Sequence, residues 1–457
     1  MNANWRAQLG RIYAAPDVGN QLARYRRALE RFAALYGAGP VSVYRVPGRI
    51  NLIGEHTDYQ QGYVLPAALD KDILFLARRR EDALVRVHNL EENAFPPREF
   101  AIAADIPPYP TGDWGNYAKG PAQLLARRAA APLHGVDLLI AGEPPYGVPR
   151  GAGVSSSSAL TVGAGLVLSE LNGLGYTAAE LAWLSGEAEW YVGTRGGIMD
   201  QFIAMLAQKD HALFLDCRSR GQGENGLPQF QTELVPLPQG YNLIVADTHV
   251  RHQNVRSDFN VRVAEGRIGV ALLQRRYPEL RYLRDLEGKD WREVEPLLPE
   301  AMTWADLDRA GIRLNELIDV RFPESAAPFR VRQRCRHIVT ENQRVRQSVA
   351  ALKAGDVTRF GALMNQAHAS VSVDYGASCD ELEIMVALAR QVSGVLGARM
   401  TGAGWGGCVI SLARRGCESA FIDHVRPGYH DATGIWPDIF VCQAGQGAGL
   451  VESDVVA

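Results

Sequence analysis

The amino-acid sequence predicts an α+β fold divided between two domains. The chain has 457 residues, which is more than one hydrophobic core usually serves. Helix-period and strand-period segments alternate irregularly, and the early strands suggest antiparallel pairing, which favours α+β over a regular βαβ fold. Hydrophobic residues make up 47% and charged residues 22% of the chain, as is usual in globular proteins. We place the boundary near residues 236–240, with an N-terminal domain over 1–235 and a C-terminal domain over 236–457.

The predicted N-terminal domain begins with a helix and continues mostly as strands. Residues 21–36 place Leu22, Tyr25, Leu29 and Phe32 on one face, the pattern of an amphipathic helix. Short apolar or alternating runs predict strands at residues 41–46, 73–77, 84–88, 136–140 and 212–216. Apolar helical patterns predict two further helices, at residues 160–171 and 177–192.

The predicted C-terminal domain is mainly helical. Residues 241–247 form an apolar run typical of a buried strand, and residues 261–352 are mostly helical in pattern, rich in arginine and broken by prolines. Surface loops are expected at residues 93–113, which are rich in proline, and at residues 221–231.

Charge and cysteine usage predict a cytoplasmic protein. The net charge of −3 gives no indication of a nucleic-acid or membrane-surface partner, and no protein partner is implied. The six cysteines contain no Cys-x-x-Cys pair, which suits reduced thiols. Residues 1–13 lack the apolar core of a signal peptide, and no run of eighteen apolar residues exists.

Residues 47–59 predict a sugar-binding turn. A strand pattern leads directly into a segment where polar groups alternate with apolar ones and two glycines allow tight bends. The polar groups are Arg49, Asn51, Glu55, His56, Asp58 and Tyr59. Sugar hydroxyls both donate and accept hydrogen bonds, so they need carboxylates and donors together.

Residues 149–159 predict a phosphate-binding loop. The segment is rich in glycine and serine, follows a strand pattern and opens a helix pattern. Such a turn directs free backbone N–H groups and the positive end of a helix dipole towards an anion. The Lys-Ser/Thr ending of a Walker A loop is missing, and so are the His-Arg-Asp and Asp-Phe-Gly signatures of protein kinases.

The two segments together resemble the GHMP family of small-molecule kinases, and the first resembles the galactokinase signature. Residues 400–410 resemble the third GHMP motif, a glycine-rich loop between a helix and a strand. Residues 196–201 resemble the segment that carries the catalytic aspartate. The resemblance implies a ribosomal S5 domain 2-like N-terminal domain, a ferredoxin-like C-terminal domain and an active site between them.

The resemblance also implies a catalytic pair. Asp200 matches the proposed base, and Arg49 matches the arginine near it and near the transferred phosphoryl group. A neighbouring arginine would keep the carboxylate ionised and stabilise charge on the phosphoryl oxygens. Whether Asp200 takes the proton from the acceptor hydroxyl or mainly orients that hydroxyl is left open.

ATP is the implied co-substrate and Mg²⁺ the implied cofactor, because phosphates need a hard cation with oxygen ligands. Ser157 and Glu189 match the metal-binding residues, with Glu187 as the alternative carboxylate. Trp114 matches an aromatic that flanks adenine, although core packing explains it equally well. The phosphate loop is expected to use Gly151, Ala152, Gly153, Val154, Ser155, Ser156 and Ser157.

Six positions match the sugar site of galactokinases. They are Glu55, His56, Thr57, Asp58, Gly197 and Phe259. Phe259 stands where these kinases usually have a tyrosine whose hydroxyl touches the sugar. The residue at position 55 is expected near the C6 end of the sugar.

Three functions therefore stay open at this point. The first is phosphorylation of the anomeric hydroxyl of D-galactose. The second is the same reaction on another galacto-configured sugar, such as L-arabinose or N-acetylgalactosamine; Glu55 argues against the C6 carboxylate of galacturonate, because like charges would meet. The third is a non-catalytic sugar and ATP sensor, which the complete serine-rich loop disfavours.

Overall fold

The computed structural model describes residues 3–193, 196–251, 255–318 and 328–456. The N-terminal half contains eight strands that precede residue 237, and they lie in two sheets. They are β1 Pro40–Asn51, β2 Tyr63–Val64, β3 Pro66–Arg79, β4 Leu84–Asn89, β5 Arg98–Ala101, β6 Val136–Ala141, β7 His211–Asp216 and β8 Gln231–Pro236. The helices of this half are α1 Ala3–Ile12, α2 Val18–Tyr36, α3 Asn116–Arg128, α4 Ser156–Leu171, α5 Ala178–Ala188 and α6 Met199–Leu206.

The larger sheet of this half is covered on both faces. Alternate residues of a strand point to opposite faces, and in β3 Leu74 joins the cluster beneath α1 and α2 while Phe75 joins the cluster beneath α4. Helix α4 lies so close that a Cβ on Gly163 would sit 2.0 Å from the Phe75 ring. This packing fixes the start of α4, and therefore the loop before it, against the sheet.

A buried ionic network ties the N-terminal helices to this sheet. Asp72 of β3 is fully buried and accepts hydrogen bonds from Arg24 Nη1 at 2.8 Å, Arg45 Nε at 2.6 Å and the Tyr13 hydroxyl at 2.6 Å. Arg45 also donates to the carbonyl oxygen of Gly447 at 3.0 Å. The helices α1 and α2 thus complete one face of the core.

Removing the Asp72 carboxylate is expected to destabilise the fold by about 3–5 kcal/mol, because Arg24 and Arg45 would be left buried without a counter-charge. Urea unfolding of Asp72→Ala measures this change. The control is Asp82→Ala, since Asp82 forms a surface pair with Arg80 and such pairs contribute about 1 kcal/mol or less. Equal effects in the two variants would contradict the importance of the network.

The C-terminal half packs helices around a second antiparallel sheet. Its strands are β9 Tyr241–Arg251, β10 Val395–Thr401, β11 Gly406–Arg414 and β12 Asp438–Cys442, in the order β10-β11-β9-β12. Its helices are α7 Val255–Leu273, α8 Trp291–Val294, α9 Trp304–Ala310, α10 Leu314–Leu317, α11 Val331–Lys353, α12 Val357–Ala369, α13 Asp380–Gln391 and α14 Glu418–Thr433, with a π-helix at Ser370–Tyr375. The mixed helix and sheet architecture confirms the α+β prediction.

The end of the chain crosses the predicted domain boundary. The last strand, β13 Gly449–Val456, pairs antiparallel with β1 and forms one edge of the N-terminal sheet, in the order β13-β1-β3-β6-β4-β5. The predicted division at residue 235 separates the other strands of the two large sheets, but β13 belongs with the N-terminal ones. The predicted loop at 93–113 is also partly wrong, because Arg98–Ala101 pairs with β4 as β5.

Candidate active site

The predicted sugar segment forms a compact loop between β1 and β2. Gly54 has φ +101°, and a Cβ there would lie 2.7 Å from the Tyr63 carbonyl oxygen, so the turn requires glycine. Thr57 is fully buried, with its hydroxyl 2.9 Å from the Gly54 carbonyl oxygen and 2.7 Å from that of Tyr63. Thr57 therefore closes the loop, and its hydroxyl is taken up by the backbone instead of facing a sugar as predicted.

Arg49 and Asp200 meet at the centre of the site. Arg49 Nε donates to Asp200 Oδ1 at 2.7 Å and Nη2 donates to Oδ2 at 2.8 Å, a two-point contact that fixes the carboxylate plane. Arg49 Nη1 donates to the carbonyl oxygen of Gly153 at 2.5 Å, and the Ser155 hydroxyl donates to Asp200 Oδ2. The predicted catalytic pair is thus joined directly to the predicted phosphate loop.

Asp58 lies beside this pair. A Cβ on Gly197 would sit 1.7 Å from Asp58 Oδ2, so the missing side chain at position 197 makes room for the carboxylate. Burial, and next the charge of Asp200, raise the pKa of Asp58 to about 6. Two neighbouring carboxylates can accept several hydrogen bonds from a polyol placed between them.

His56 bridges the two halves of the protein. Its Nε2–H donates to the Ala403 carbonyl oxygen at 3.1 Å, and Nδ1 lies 3.0 Å from the Tyr59 hydroxyl. Burial lowers the pKa of His56 to about 3, so the ring is neutral and Nδ1 is an acceptor. Both nitrogens have protein partners, so a sugar hydroxyl could bind His56 only by replacing one of them.

Aromatic rings enclose the His56 side of the site. The His56 ring stacks on Tyr375 with centroids 4.4 Å apart, and Phe259 of α7 lies 5.9 Å from His56 and 5.3 Å from Tyr59. Tyr59 and Tyr375 also join through their hydroxyl groups. The half-buried Phe259 ring therefore lies in the region predicted from the sequence and makes this wall apolar.

Glu55 contacts the C-terminal half of the protein. Its carboxylate is almost wholly buried and pairs with Arg399 of β10. Burial raises the pKa of Glu55 to about 7, against the lowering effect of Arg399. A smaller lowering effect comes from Arg49, so the carboxylate also senses the catalytic pair.

A cavity of about 490 Å³ adjoins the glycine-rich loop. The loop contributes Gly151, Gly153, Ser155, Ser156 and Ser157 to its lining, and other elements contribute Asn89, Glu91, Phe95, Trp114, Tyr117 and Arg150. Apolar rings beside a backbone cradle are suitable for a nucleobase joined to phosphates. Trp114 packs against Phe95 and donates from Nε1 to the Pro96 carbonyl oxygen at 3.0 Å, so it belongs both to the wall and to the core.

The loop has the backbone expected of an anion cradle. Gly151, Gly153 and Ser155 have φ of +67°, +74° and +62°, and Ser155 is the N-cap of the sixteen-residue α4. Left-handed residues in a turn before a helix let successive N–H groups converge. The side chains of Ala152 and Val154 are buried, so of the predicted loop residues these two contribute backbone only.

Glu189 fits a metal-binding role better than Glu187 does. Glu189 is buried whereas Glu187 is only half-buried, and Ser158, Gln201, Asp200 and Arg49 all act on the charge of Glu189. Its Oε1 atom has no hydrogen-bond partner among the described residues. Mg²⁺ in nucleotide sites commonly takes one or two protein oxygens, with phosphate and water as the other ligands. A buried carboxylate with a free oxygen next to the phosphate loop suits this cation.

The third glycine-rich motif joins the two halves of the site. It connects β10 to β11, so the prediction that it follows a helix is wrong. A Cβ on Gly402 would lie 2.8 Å from the carbonyl oxygen of Gly153, so the two loops are in direct contact. Thr401 Oγ1 accepts a hydrogen bond from the Asn51 N–H at 2.9 Å. Through this motif the C-terminal sheet contacts both the phosphate loop and the strand that leads into the sugar loop.

Sequence reasoning missed several residues that shape the site. Ser155 was expected only at the phosphates, yet it also contacts Asp200. Phe95 was assigned to a surface loop, and its aromatic character within a proline-rich stretch was the available signal. Arg399 directly precedes the third motif, and a charged residue in an otherwise apolar strand could have drawn attention to it. Tyr375 carried no such signal, because only the π-helix turns it towards His56.

Fold and site together define a small-molecule phosphotransferase with its acceptor site beside a nucleotide cavity. The galactokinase galactose-binding signature matches residues 30–79. The GHMP kinases N terminal domain matches residues 116–208, and the GHMP kinases C terminal domain matches residues 348–425. The galactokinase of Roseiflexus sp. (strain RS-1) is 38% identical over 92% of this chain and 96% of its own length. That of Chloroflexus aggregans is 36% identical over 94% and 98%.

The chain belongs to the galactokinase family of GHMP kinases. A crystal structure of Lactococcus lactis galactokinase complexed with galactose superposes with a TM-score of 0.77 and 32% identity, covering 93% of this chain and 99% of that chain. The mevalonate kinase of L. major, at 18% identity and a TM-score of 0.54, shares the fold. No helix among the described ranges has the length and apolar character needed to cross a membrane.

Proposed function

We propose that the protein transfers the γ-phosphoryl group of ATP to the anomeric hydroxyl of D-galactose, giving galactose 1-phosphate. The observation that carries this proposal is the Arg49–Asp200 pair, which links the sugar loop to the phosphate loop through Gly153 and Ser155. The family relationship supports the choice of sugar. Because the reacting oxygen and the phosphoryl group must lie in line, an element that fixes both loops is what the transfer requires.

The side chains of the site divide the work of the reaction. Asp200, held in one plane by Arg49, accepts a hydrogen bond from the acceptor hydroxyl and directs its lone pair to the phosphorus. Arg49 stabilises negative charge on the phosphoryl oxygens. Asp58 accepts hydrogen bonds from other sugar hydroxyls and so sets which oxygen faces ATP. The apolar cavity beside Phe95 and Trp114 holds the adenine.

Mg²⁺ is part of the proposal. When bound, it neutralises phosphate charge and orients the phosphate chain. Glu189 would hold it through the buried oxygen that has no hydrogen-bond partner in the described part of the chain, together with Ser157 from the phosphate loop. We also propose that the protein acts in the cytoplasm, consistent with its six free cysteines.

A coupled ADP-release assay with a panel of free sugars tests the function. With Mg–ATP, D-galactose should give the highest kcat/KM, and NMR of the product should show phosphate on O1. Turnover without any sugar, or phosphate on O6, would contradict the proposal. Sugar binding without ADP release would support a sensor instead.

A second substrate has one observation in its favour. Phe259 brings an apolar ring to the position where the family resemblance predicts a tyrosine hydroxyl, so another galacto-configured sugar such as L-arabinose or N-acetylgalactosamine is the alternative. The galactose panel includes both sugars. A higher kcat/KM for either than for galactose would favour this alternative.

Restoring the hydroxyl is expected to favour galactose. If galactose is the substrate, Phe259→Tyr should leave kcat/KM for galactose unchanged or raise it by up to about tenfold, because one hydrogen bond contributes about 0.5–1.5 kcal/mol. If another sugar is preferred, the same change should shift the ratio of kcat/KM values towards galactose. Phe230→Tyr is the matched control, since Phe230 packs against Trp183 and Phe202 instead of His56. A large loss for galactose in Phe259→Tyr alone would contradict the placement of Phe259 beside the sugar.

The catalytic efficiency with galactose, kcat/KM, should fall at low pH. The pKa of Asp58 is raised to about 6 and that of Glu55 to about 7, so both lose their acceptor oxygens as the pH falls through these values. Asp200, Arg49, Cys217 and Tyr59 face Asp58, and the carboxylates of Asp200 and Asp58 repel each other. We expect kcat/KM for galactose to fall below about pH 7, and more steeply below about pH 6. Asp58→Asn should flatten the lower part of the profile, and an unchanged profile in that variant would contradict the assignment.

A further inference from the structure

A buried charged cluster lies beneath the sugar loop, on the side away from the nucleotide cavity. Arg399 is completely buried in β10, yet its side chain leaves the C-terminal sheet and enters the N-terminal half. There it pairs with the Glu55 carboxylate, and Nη1 donates to the Asn51 carbonyl oxygen at 3.4 Å. Such a pair is costly to desolvate and gives little net stability by itself.

Two further residues hold the backbone around Glu55. The Glu341 carboxylate accepts a hydrogen bond from the Gly54 N–H at 2.9 Å and another from Arg344 Nε at 2.6 Å. His337 donates from Nε2 to the Glu55 carbonyl oxygen at 3.1 Å. With the backbone fixed on both sides, the direction of the Glu55 side chain depends on what its carboxylate contacts, and that contact is Arg399.

The cluster also has unused hydrogen-bonding capacity. Both Glu55 carboxylate oxygens, Nε and Nη2 of Arg399 and both side-chain amide atoms of Asn51 are buried without a hydrogen-bond partner among the described residues. Glu55 Oε2 and Arg399 Nη2 are in contact as an ion pair, whereas Glu55 Oε1 has no such contact. Buried polar groups without partners are rare in proteins and usually mark a ligand or water position. Asn51 follows Arg49 by two residues at the end of β1, and Glu55 directly precedes His56, so these free atoms belong to the same segment as the sugar-site residues.

We infer that Arg399 is a positioning residue for sugar recognition, acting through Glu55. It holds the carboxylate ionised and in place, so that the free oxygen can accept a hydrogen bond from the hydroxymethyl end of a hexose. Arg399 itself does not touch the sugar or the phosphates. This inference rests on the proposed sugar kinase function. It assigns part of the discrimination between hexose and pentose to Arg399, which lies in β10 just before the third glycine-rich motif.

A double-mutant cycle between Arg399→Met and Glu55→Gln tests the inference. The readout is kcat/KM at pH 8 for galactose and for L-arabinose, which lacks the hydroxymethyl group. Each single variant should lose about tenfold or more for galactose, mainly through KM, and less for L-arabinose. The double variant should be no worse than the poorer single variant, because both changes remove one interaction. KM for ATP should stay near the wild-type value.

Losses that multiply in the double variant, or equal losses for both sugars, would overturn the inference. Arg24→Met is the matched control, because Arg24 is equally buried and paired with a buried carboxylate, Asp72 of β3 in the N-terminal sheet. It should lower stability without changing the galactose to L-arabinose ratio. If Arg399→Met does not fold, Arg399→Lys replaces it, since the shorter reach of the ammonium group should lower the same ratio.

The outcome for the wild-type protein separates this inference from the proposed function. If wild type binds galactose but does not phosphorylate it, the proposed activity fails, and calorimetric Kd values for the two sugars replace kcat/KM in the cycle. Additive losses in those Kd values would still overturn the role of Arg399. If wild type binds neither sugar, both the function and the inference fail.

Discussion

Replacing Asp200 with asparagine is expected to lower kcat by about 10²–10⁴-fold, because the variant can still hold a hydroxyl group but cannot accept its proton. Asparagine would also lose the charged two-point contact with Arg49. Binding of ATP should change little, since Asp200 is not among the residues that line the nucleotide cavity. Steady-state turnover at saturating galactose, with ATP binding by calorimetry, measures both effects.

Comparison with Asp200→Ala separates two roles for this carboxylate. If Asp200 mainly orients the hydroxyl, asparagine should retain much more activity than alanine; if it takes the proton, the two variants should be similarly impaired. Asp137→Asn is the control, since Asp137 accepts from Arg80 and Arg86 on the sheet, away from both loops. Turnover close to wild type in Asp200→Ala would remove Asp200 from the mechanism.

The parts of the fold that the sequence predicts well are those with local signals. The strand at residues 41–46, the helix at 21–36 and the helix after the serine run appear in β1, α2 and α4. Each has an apolar pattern that matches one element. Helix α2 packs through one stripe, whereas β1 and α4 are buried on nearly all sides. The meeting of Arg49 with Asp200 followed from the family resemblance, because 151 positions of chain separate the two residues.

The parts that the sequence could not predict depend on long-range pairing. Nothing in residues 449–456 indicates that they pair with β1, more than 390 positions earlier by the register Gly449 to Arg45. A charged residue such as Asp72 reads as exposed in a sequence, and it is buried only because Arg24 and Arg45 meet it there. The same limit explains Glu55, whose partner Arg399 comes from the other half of the chain.

Local motif spacing also overstated how many side chains face the ligand. His56, Thr57 and Asp58 are consecutive, yet Thr57 turns inwards, His56 is held by Tyr59 and Ala403, and Asp58 faces the site centre. In a tight loop successive side chains point in different directions, so adjacency does not predict a shared role. Only the three-dimensional structure separates the residues that hold the loop from those that it presents.

Replacing Gly197 with alanine is expected to lower kcat/KM for galactose by about 100-fold, through displacement of a neighbouring carboxylate rather than loss of any contact of its own. The added Cβ would lie 1.7 Å from Asp58 Oδ2 and 2.1 Å from Asp58 Cγ, so the carboxylate must move by more than 1 Å. Displacements of about 1 Å in a positioning group can cost about 100-fold in rate. The backbone of Gly197 is outside the left-handed region, so alanine adds no conformational strain there.

The effect should be specific to the sugar. KM for galactose should rise strongly while KM for ATP stays within about twofold, because the phosphate loop keeps its contacts with Arg49 and the third motif.

Gly186→Ala is the matched control. Gly186 lies in α5, and an added Cβ would be 3.8 Å from the nearest side-chain atom, so the activity of this variant should match wild type. Melting temperature distinguishes local from global damage, since Gly197→Ala combined with Asp58→Gly removes all three close Asp58 atoms and should regain stability without regaining activity. Galactose kinetics near wild type in Gly197→Ala would show that Asp58 does not need its position beside Gly197, and its assignment to the sugar would have to be withdrawn.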